Sequence, residues 1–161
     1  MGRVYFAALV LFLIAGCARV VNQTPTLPMK GEHYAVLPFE NYTETPYAGY
    51  RVASILEGVL ASKGYNLIPR VWYLMERELA GEEIEKLKES AVKNGARYVV
   101  HGSVNEFRYK TGLDGEPAVS ITVSVYDVKE NKVVKNVTVS GSGWVHESLG
   151  TLAQKLLNGA F

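Results

Sequence analysis

The sequence predicts an α/β domain, a single mixed β-sheet with helices packed on it. Three observations carry this. Short apolar segments and amphipathic stretches follow one another in the order β-α-β-α-α before three further strands and a final helix. Val119, Ile121, Val123 and Val125 alternate with Ser120, Thr122, Ser124 and Tyr126, the period of a half-buried strand. Ala48, Val52, Ile55, Leu56, Val59 and Leu60 recur at intervals of three and four, which is one face of a helix.

Each element follows from its residues. Tyr34 to Leu37 is a short apolar strand, and Pro38, which cannot donate to a ladder, ends it or places it at a margin. Glu40 to Thr45 is expected as a loop, with Thr45 as N-cap and Pro46 at the first helical position. The helix that follows ends at Lys63-Gly64, with glycine at C′. Tyr65 to Pro69 is a second short strand. Val71, Leu74, Met75 and Leu79 predict a second helix, with Trp72 in its apolar face, broken at Gly81. Ile84, Leu87, Ala91 and Val92 predict a third, closed by Asn94-Gly95. A strand from Tyr98 towards Tyr109, a polar turn over 110–117 and the alternating strand come next. After a turn at Lys129 to Lys132, a strand returns through Val133, Val137 and Val139. Gly141-Ser142-Gly143 breaks it, and Leu149, Leu152, Ala153, Leu156 and Leu157 face inward from a last helix. The first part suits parallel crossovers and the last strands an antiparallel meander.

The N-terminal segment is targeting sequence. Arg3 precedes an unbroken apolar run from Val4 to Ile14, well short of the ~20 residues a permanent membrane helix needs. Leu13-Ile14-Ala15-Gly16-Cys17 matches the bacterial lipobox, and Cys17 is the chain's single cysteine. The chain therefore divides into a lipoprotein signal peptide over 1–16, a lipidated N-terminus and tether over 17–31, and a folded domain over 32–161. The tether reading rests on Asn22 to Pro28, which is polar, carries prolines and lacks periodicity. Two or more acyl chains on Cys17 would anchor the protein stably. Ala18, where an aspartate commonly retains a lipoprotein on the inner membrane, favours the periplasmic face of the outer membrane as a sorting rule.

Composition excludes several classes. The whole chain has 17 Lys and Arg against 16 Asp and Glu, and the signal removes only Arg3, so the mature protein is formally neutral. Neutrality argues against nucleic acid as a partner, since phosphate binding wants a basic excess. With Cys17 acylated, no thiol remains for a disulfide, a thiolate metal site or a nucleophile. His33, His101 and His146 share no metal-ligand spacing. There is no phosphate-binding glycine loop, serine elbow or paired-carboxylate signature. The expectation is a protein with no catalytic residues, no metal and no cofactor, acting by binding, assembly or export.

Several segments together resemble a known superfamily. They are Ala35 to Asn41 followed by a helix, Arg70 after the Asn66 to Pro69 strand, Gly95-Ala96-Arg97-Tyr98-Val99-Val100-His101-Gly102-Ser103-Val104, and a meander ending Asn131-Lys132-Val133-Val134. This order resembles outer-membrane lipoproteins whose domain is like the periplasmic part of the curli channel CsgG. The resemblance covers nearly all of residues 33 to 158. A stand-alone domain with a short tether and a tryptophan before its last helix looks most like the PelC-type lipoproteins of Pel exopolysaccharide export, a biofilm system. The resemblance implies a homo-oligomeric ring of twelve subunits beneath the outer membrane, guiding a cationic polysaccharide towards an export barrel of the PelB type. The alternatives it leaves are an LpoB-like activator of a peptidoglycan synthase and an assembly lipoprotein for a surface appendage.

Two sets of residues acquire candidate roles in that setting. Trp144, between Gly143 and Val145 at the entry to the last helix, either faces the lipid interface or staples that helix onto the sheet. Asp114, Glu116, Glu106 and Asp127 are candidates for a polymer-facing acidic surface, whose field repetition around a ring would strengthen. The charge-mixed stretch Glu82 to Lys93 reads as an exposed helix face with pairs three and four apart.

Overall fold

A computed structural model describes residues 18–21, 30–79, 81–112 and 115–161. Seven strands, β1 (Ala18–Val21), β2 (His33–Val36), β3 (Glu40–Asn41), β4 (Asn66–Leu67), β5 (Tyr98–Tyr109), β6 (Pro117–Asp127) and β7 (Lys132–Ser142), form one sheet in the order β1-β7-β6-β5-β2-β4. Its helices are α1 (Ala48–Ser62), α2 (Gly81–Lys93) and α3 (Leu149–Ala160). β2 runs parallel to β4 and β5, whereas β5, β6 and β7 form the expected antiparallel meander. Beyond Val36 the chain steps through Leu37 to Phe39 and rejoins β5 as β3, opposite Ser103 and Val104.

One sheet face is the core. Phe107, Val104, Gly102 and Val100 of β5 stand opposite Val119, Ile121, Val123 and Val125 of β6, and α1 and α3 lie side by side over them. Val52, Leu56 and Leu60 of α1 and Leu152, Leu156 and Leu157 of α3 are buried there. The close seating of α1 depends on Gly49, where a Cβ would stand 1.9 Å from the carbonyl oxygen of Phe39. The other face carries Ser120, Thr122, Ser124 and Tyr126, and among the described residues α2 packs against one end of it.

Four expectations need correction. The segment with Val71, Leu74, Met75 and Leu79 is not helical, although Trp72 is core as expected. Its periodicity is overridden because the stretch is spent on neighbours. The Trp72 indole donates to the Val36 carbonyl at 2.8 Å, standing in for a strand at the edge of β2. The second correction follows from the same stretch. Thr45 does not cap α1. Its hydroxyl donates to the Phe107 carbonyl, and α1 starts after Tyr47, which adopts a left-handed conformation with φ 60°. The carboxylate of Glu78 caps instead, accepting the Tyr47 N–H at 2.7 Å and the Asn41 amide at 2.9 Å. Third, Glu40–Asn41 is a strand rather than part of a loop. Fourth, the expected tether over 17–31 includes β1, which pairs antiparallel with β7 from Ala18 opposite Gly141 to Val21 opposite Thr138.

Candidate functional site

No helix among the described residues is long and apolar enough to cross a membrane, and no group of three or more His, Cys, Asp or Glu side chains gathers among them. Three surfaces stand out among the described residues.

The first is the loop from β7 to α3. Trp144 is 66% exposed, beside exposed Val145, so it does not staple α3 to the sheet. The loop is held from both sides. The Gly143 N–H donates to the Pro117 carbonyl at 2.9 Å and the Glu147 N–H to the Trp144 carbonyl at 2.8 Å. Beneath it the Glu147 side chain is 8% exposed, and Lys155 approaches its Oε1 at 2.6 Å as an ion pair without hydrogen-bond geometry. A Cβ at Gly143 would meet Glu147 Oε2 at 2.4 Å, so glycine lets the loop close over this carboxylate. Ser148 then caps α3, accepting the Thr151 N–H at 3.1 Å.

The second is an apolar groove of about 710 Å³ between the starts of α1 and α3, the 70–74 segment and the end of β5. Tyr47, Tyr50, Trp72 and Phe107 contribute aromatic walls. Leu74, 64% exposed, and Tyr109, 50% exposed, line it at the surface. Arg70 stacks over Trp72 at 4.2 Å and is held by Glu57. Periodicity could not have found this groove, because it is built where the expected second helix fails to form.

The third is the open sheet face. Hydrogen bonds tie its small polar side chains together, Ser120 to Ser140 at 2.8 Å, Thr122 to Thr138 at 2.9 Å, and Asn105 to Thr122 at 3.1 Å. A bulge in β5 between Val104 and Glu106 adds Asn105 as an extra residue. His101 is half-buried there, opposite Ser124, and burial first, then Lys88, pulls its pKa below the ordinary histidine value.

The four candidate carboxylates are dispersed. Glu106 lies on the open face and pairs with Arg108 at 2.9 Å. Glu116 sits in the β5–β6 hairpin, paired with Lys110 at 3.2 Å. Asp114, like Cys17, lies outside the described residues. Asp127 is a correction, since it is 3% exposed and faces inward rather than towards a polymer. The Arg97 guanidinium grips both its oxygens and the Lys129 and Glu130 amides donate to Oδ1, each at 2.9 Å, which together hold its pKa low.

No protein-family model matches the chain, and no curated protein sequence does. Among solved structures the chain is similar to PelC from Paraburkholderia phytofirmans, a dodecamer, at 34% identity and a TM-score of 0.68, covering 89% of this chain and 95% of that one. A single-substitution variant of the same dodecamer aligns at 35% identity and a TM-score of 0.69, covering 89% of this chain and 94% of that one. A lipoprotein from Neisseria meningitidis shares the fold at 14% identity and a TM-score of 0.50, covering 80% of this chain and 97% of that one. Identity above a third along nearly the full length of both chains goes beyond a shared fold, and the chain belongs to the PelC family.

Proposed function

We propose that the protein is a non-catalytic lipoprotein subunit of a ring that guides a cationic, Pel-like exopolysaccharide through the periplasm to its outer-membrane export barrel. The observation that carries the reading is the 35% identity to a PelC dodecamer over nearly the whole chain. Acyl chains on Cys17 hold the ring on the periplasmic face of the outer membrane, and a PelB-like barrel protein receives the polymer. Two further features support it. A ring needs a head-to-tail contact, in which one patch of each subunit meets a different patch of the next. The groove beside Leu74 and Tyr109 is a seat of that kind for a second copy. Exposed Trp144, on a loop braced by Glu147, suits the headgroup layer, where an indole keeps its ring apolar and its N–H wet. The alternative, an activator of a wall synthase, has no observation on this chain comparable with that identity.

The test is the native mass of the mature acylated protein in mild detergent, with deletion of its gene scored for secreted polysaccharide. The expected result is a closed multi-subunit assembly and loss of export. A strict monomer at high concentration, or export undiminished by the deletion, would overturn the reading.

A further inference from the structure

The open sheet face holds a cleft that the carboxylates expected from the sequence do not describe. Its wall is Tyr42, a residue 68% exposed yet fixed in place. The Tyr42 N–H donates to the Val104 carbonyl at 3.0 Å, continuing the pairing of β3 with β5. The Tyr42 hydroxyl donates to the Glu40 carboxylate, which raises its pKa, so the ring carries a carboxylate at its polar end. The loop behind is stiffened by Asn41, which accepts from the Thr43 N–H and hydroxyl at 3.0 and 2.8 Å and donates to the Thr45 carbonyl at 2.8 Å. An exposed aromatic on a braced backbone presents a flat apolar surface at little entropic cost.

Tyr42 separates two hollows and lines both. One, of about 480 Å³, has β3 and α2 as its sides and His101, Ser103 and Thr122 on its floor. The other, of about 800 Å³, runs between the 42–46 loop and Asn105, Glu106 and Ser120. The floor is the bonded lattice of hydroxyls and amides, groups that both donate and accept. Carboxylates stand on both sides of the ring. Glu85 and Glu106 are compensated by Lys88 and Arg108, whereas Glu40 and Glu44 have no cationic partner among the described residues.

Such a surface fits one chemistry better than others. A pyranose offers a flat C–H face for an aromatic ring and hydroxyls for a polar floor, and a hexosamine with a free amine adds an ammonium for an uncompensated carboxylate. A protein partner would leave the row of small hydroxyls to be matched one by one. We propose that the double cleft around Tyr42 is a binding track for an amino-sugar polymer, with Tyr42 stacking on a sugar ring, Glu40 and Glu44 holding its ammonium groups, and the Ser–Thr–Asn floor meeting its hydroxyls. This rests on the export reading and assigns the polymer to a particular surface of the subunit.

The test uses the full mature lipoprotein in detergent, titrated by calorimetry with fully deacetylated glucosamine oligomers, their N-acetylated counterparts and neutral glucose oligomers. Native mass is recorded for every variant. The glucosamine oligomer is expected to bind at least tenfold more tightly than the other two. Tyr42→Ala and the double variant Glu40→Gln/Glu44→Gln are each expected to weaken it at least tenfold with mass unchanged, and Glu130→Gln, in the exposed turn between β6 and β7, to leave it as it was. Two results would overturn the track and leave the export reading standing. One is wild-type affinity in both Tyr42 and Glu variants of native mass. The other is collapse of those variants to monomers, which would make this face a contact between copies. Absence of binding by an intact wild-type ring also overturns the track, whereas failure of the export reading shows separately, in the deletion strain.

Discussion

Arg97 and Asp127 meet through two parallel hydrogen bonds, Nε to Oδ1 at 2.9 Å and Nη2 to Oδ2 at 2.7 Å, across the antiparallel pairing of β5 with β6. The pair closes the end of the sheet at which the Arg97 N–H also binds the His33 carbonyl of β2 at 2.9 Å. It thereby joins the parallel and antiparallel halves of the fold. Its carboxylate is held below the ordinary value of 3.8, chiefly by the Arg97 hydrogen bond and then by the two turn amides. A depressed folded pKa stabilises the protein fully above the unfolded value, and that contribution is lost as pH falls through the folded one. Thermal melts of the wild type should therefore decline below about pH 4. Asp127→Asn should lower the melting temperature at pH 7 and flatten the acid decline. An unchanged acid profile in Asp127→Asn would remove the pair from the account.

Gly49 tests the crossing between Leu37 and β3. Alanine there would drive its Cβ into the backbone carbonyl of Phe39, whose own N–H donates to the Gly49 carbonyl at 3.3 Å. Backbone on backbone cannot relax by a rotamer change, so the helix must shift. Gly49→Ala should cost about 1–3 kcal/mol in chemical denaturation, the range for overpacked interiors, despite alanine's better helix propensity. Gly58, on the same helix with open space around it, is the control, and Gly58→Ala should be neutral to stabilising.

How far this fold was readable depends on where its information lies. β6 was legible because Val119 to Tyr126 alternate without exception, and α1 and α3 because their apolar residues keep one period. The segment around Val71 to Leu79 was misread for a physical reason. Its apolar residues do recur at helical spacing, but Trp72 is recruited to the edge of β2 and Glu78 to the start of α1, and tertiary bonds outweigh a weak local preference. Asp127 was misread because a carboxylate at a strand end looks the same in sequence whether it faces solvent or an arginine thirty residues earlier. The cleft around Tyr42 was not legible at all. Glu40 and Tyr42 lie in a short stretch without periodicity, and they meet Ser103 and Thr122 only through sheet register.

The groove between α1 and α3 carries the assembly prediction. Leu74→Asp and Tyr109→Asp place charges on exposed rim positions, so each monomer should keep its stability within about 0.5 kcal/mol. A buried unpaired charge in a subunit contact is far more costly, so the proposed oligomer should fall to smaller species. Analytical ultracentrifugation of the acylated protein in detergent measures this directly. Both variants sedimenting as the wild type would move the subunit contact elsewhere.

Trp144 and Trp72 together make the membrane placement measurable without a label, since they are the two tryptophans of the chain. Trp72 is 7% exposed and locked by its bond to Val36, so it reports the protein interior. Trp144 is 66% exposed and, if the proposed anchoring of an acylated assembly holds, should enter the headgroup layer. In vesicles containing brominated lipids, wild-type emission should be partly quenched. Trp144→Phe should leave only unquenched Trp72 emission, and Trp72→Phe should leave a signal quenched almost throughout. Removing the acyl chains with Cys17→Ser should abolish quenching while leaving the fold intact, because one exposed indole binds a bilayer too weakly alone. If Trp144 stays unquenched in the acylated wild type, the loop points away from the lipid and its exposure must serve a protein contact instead.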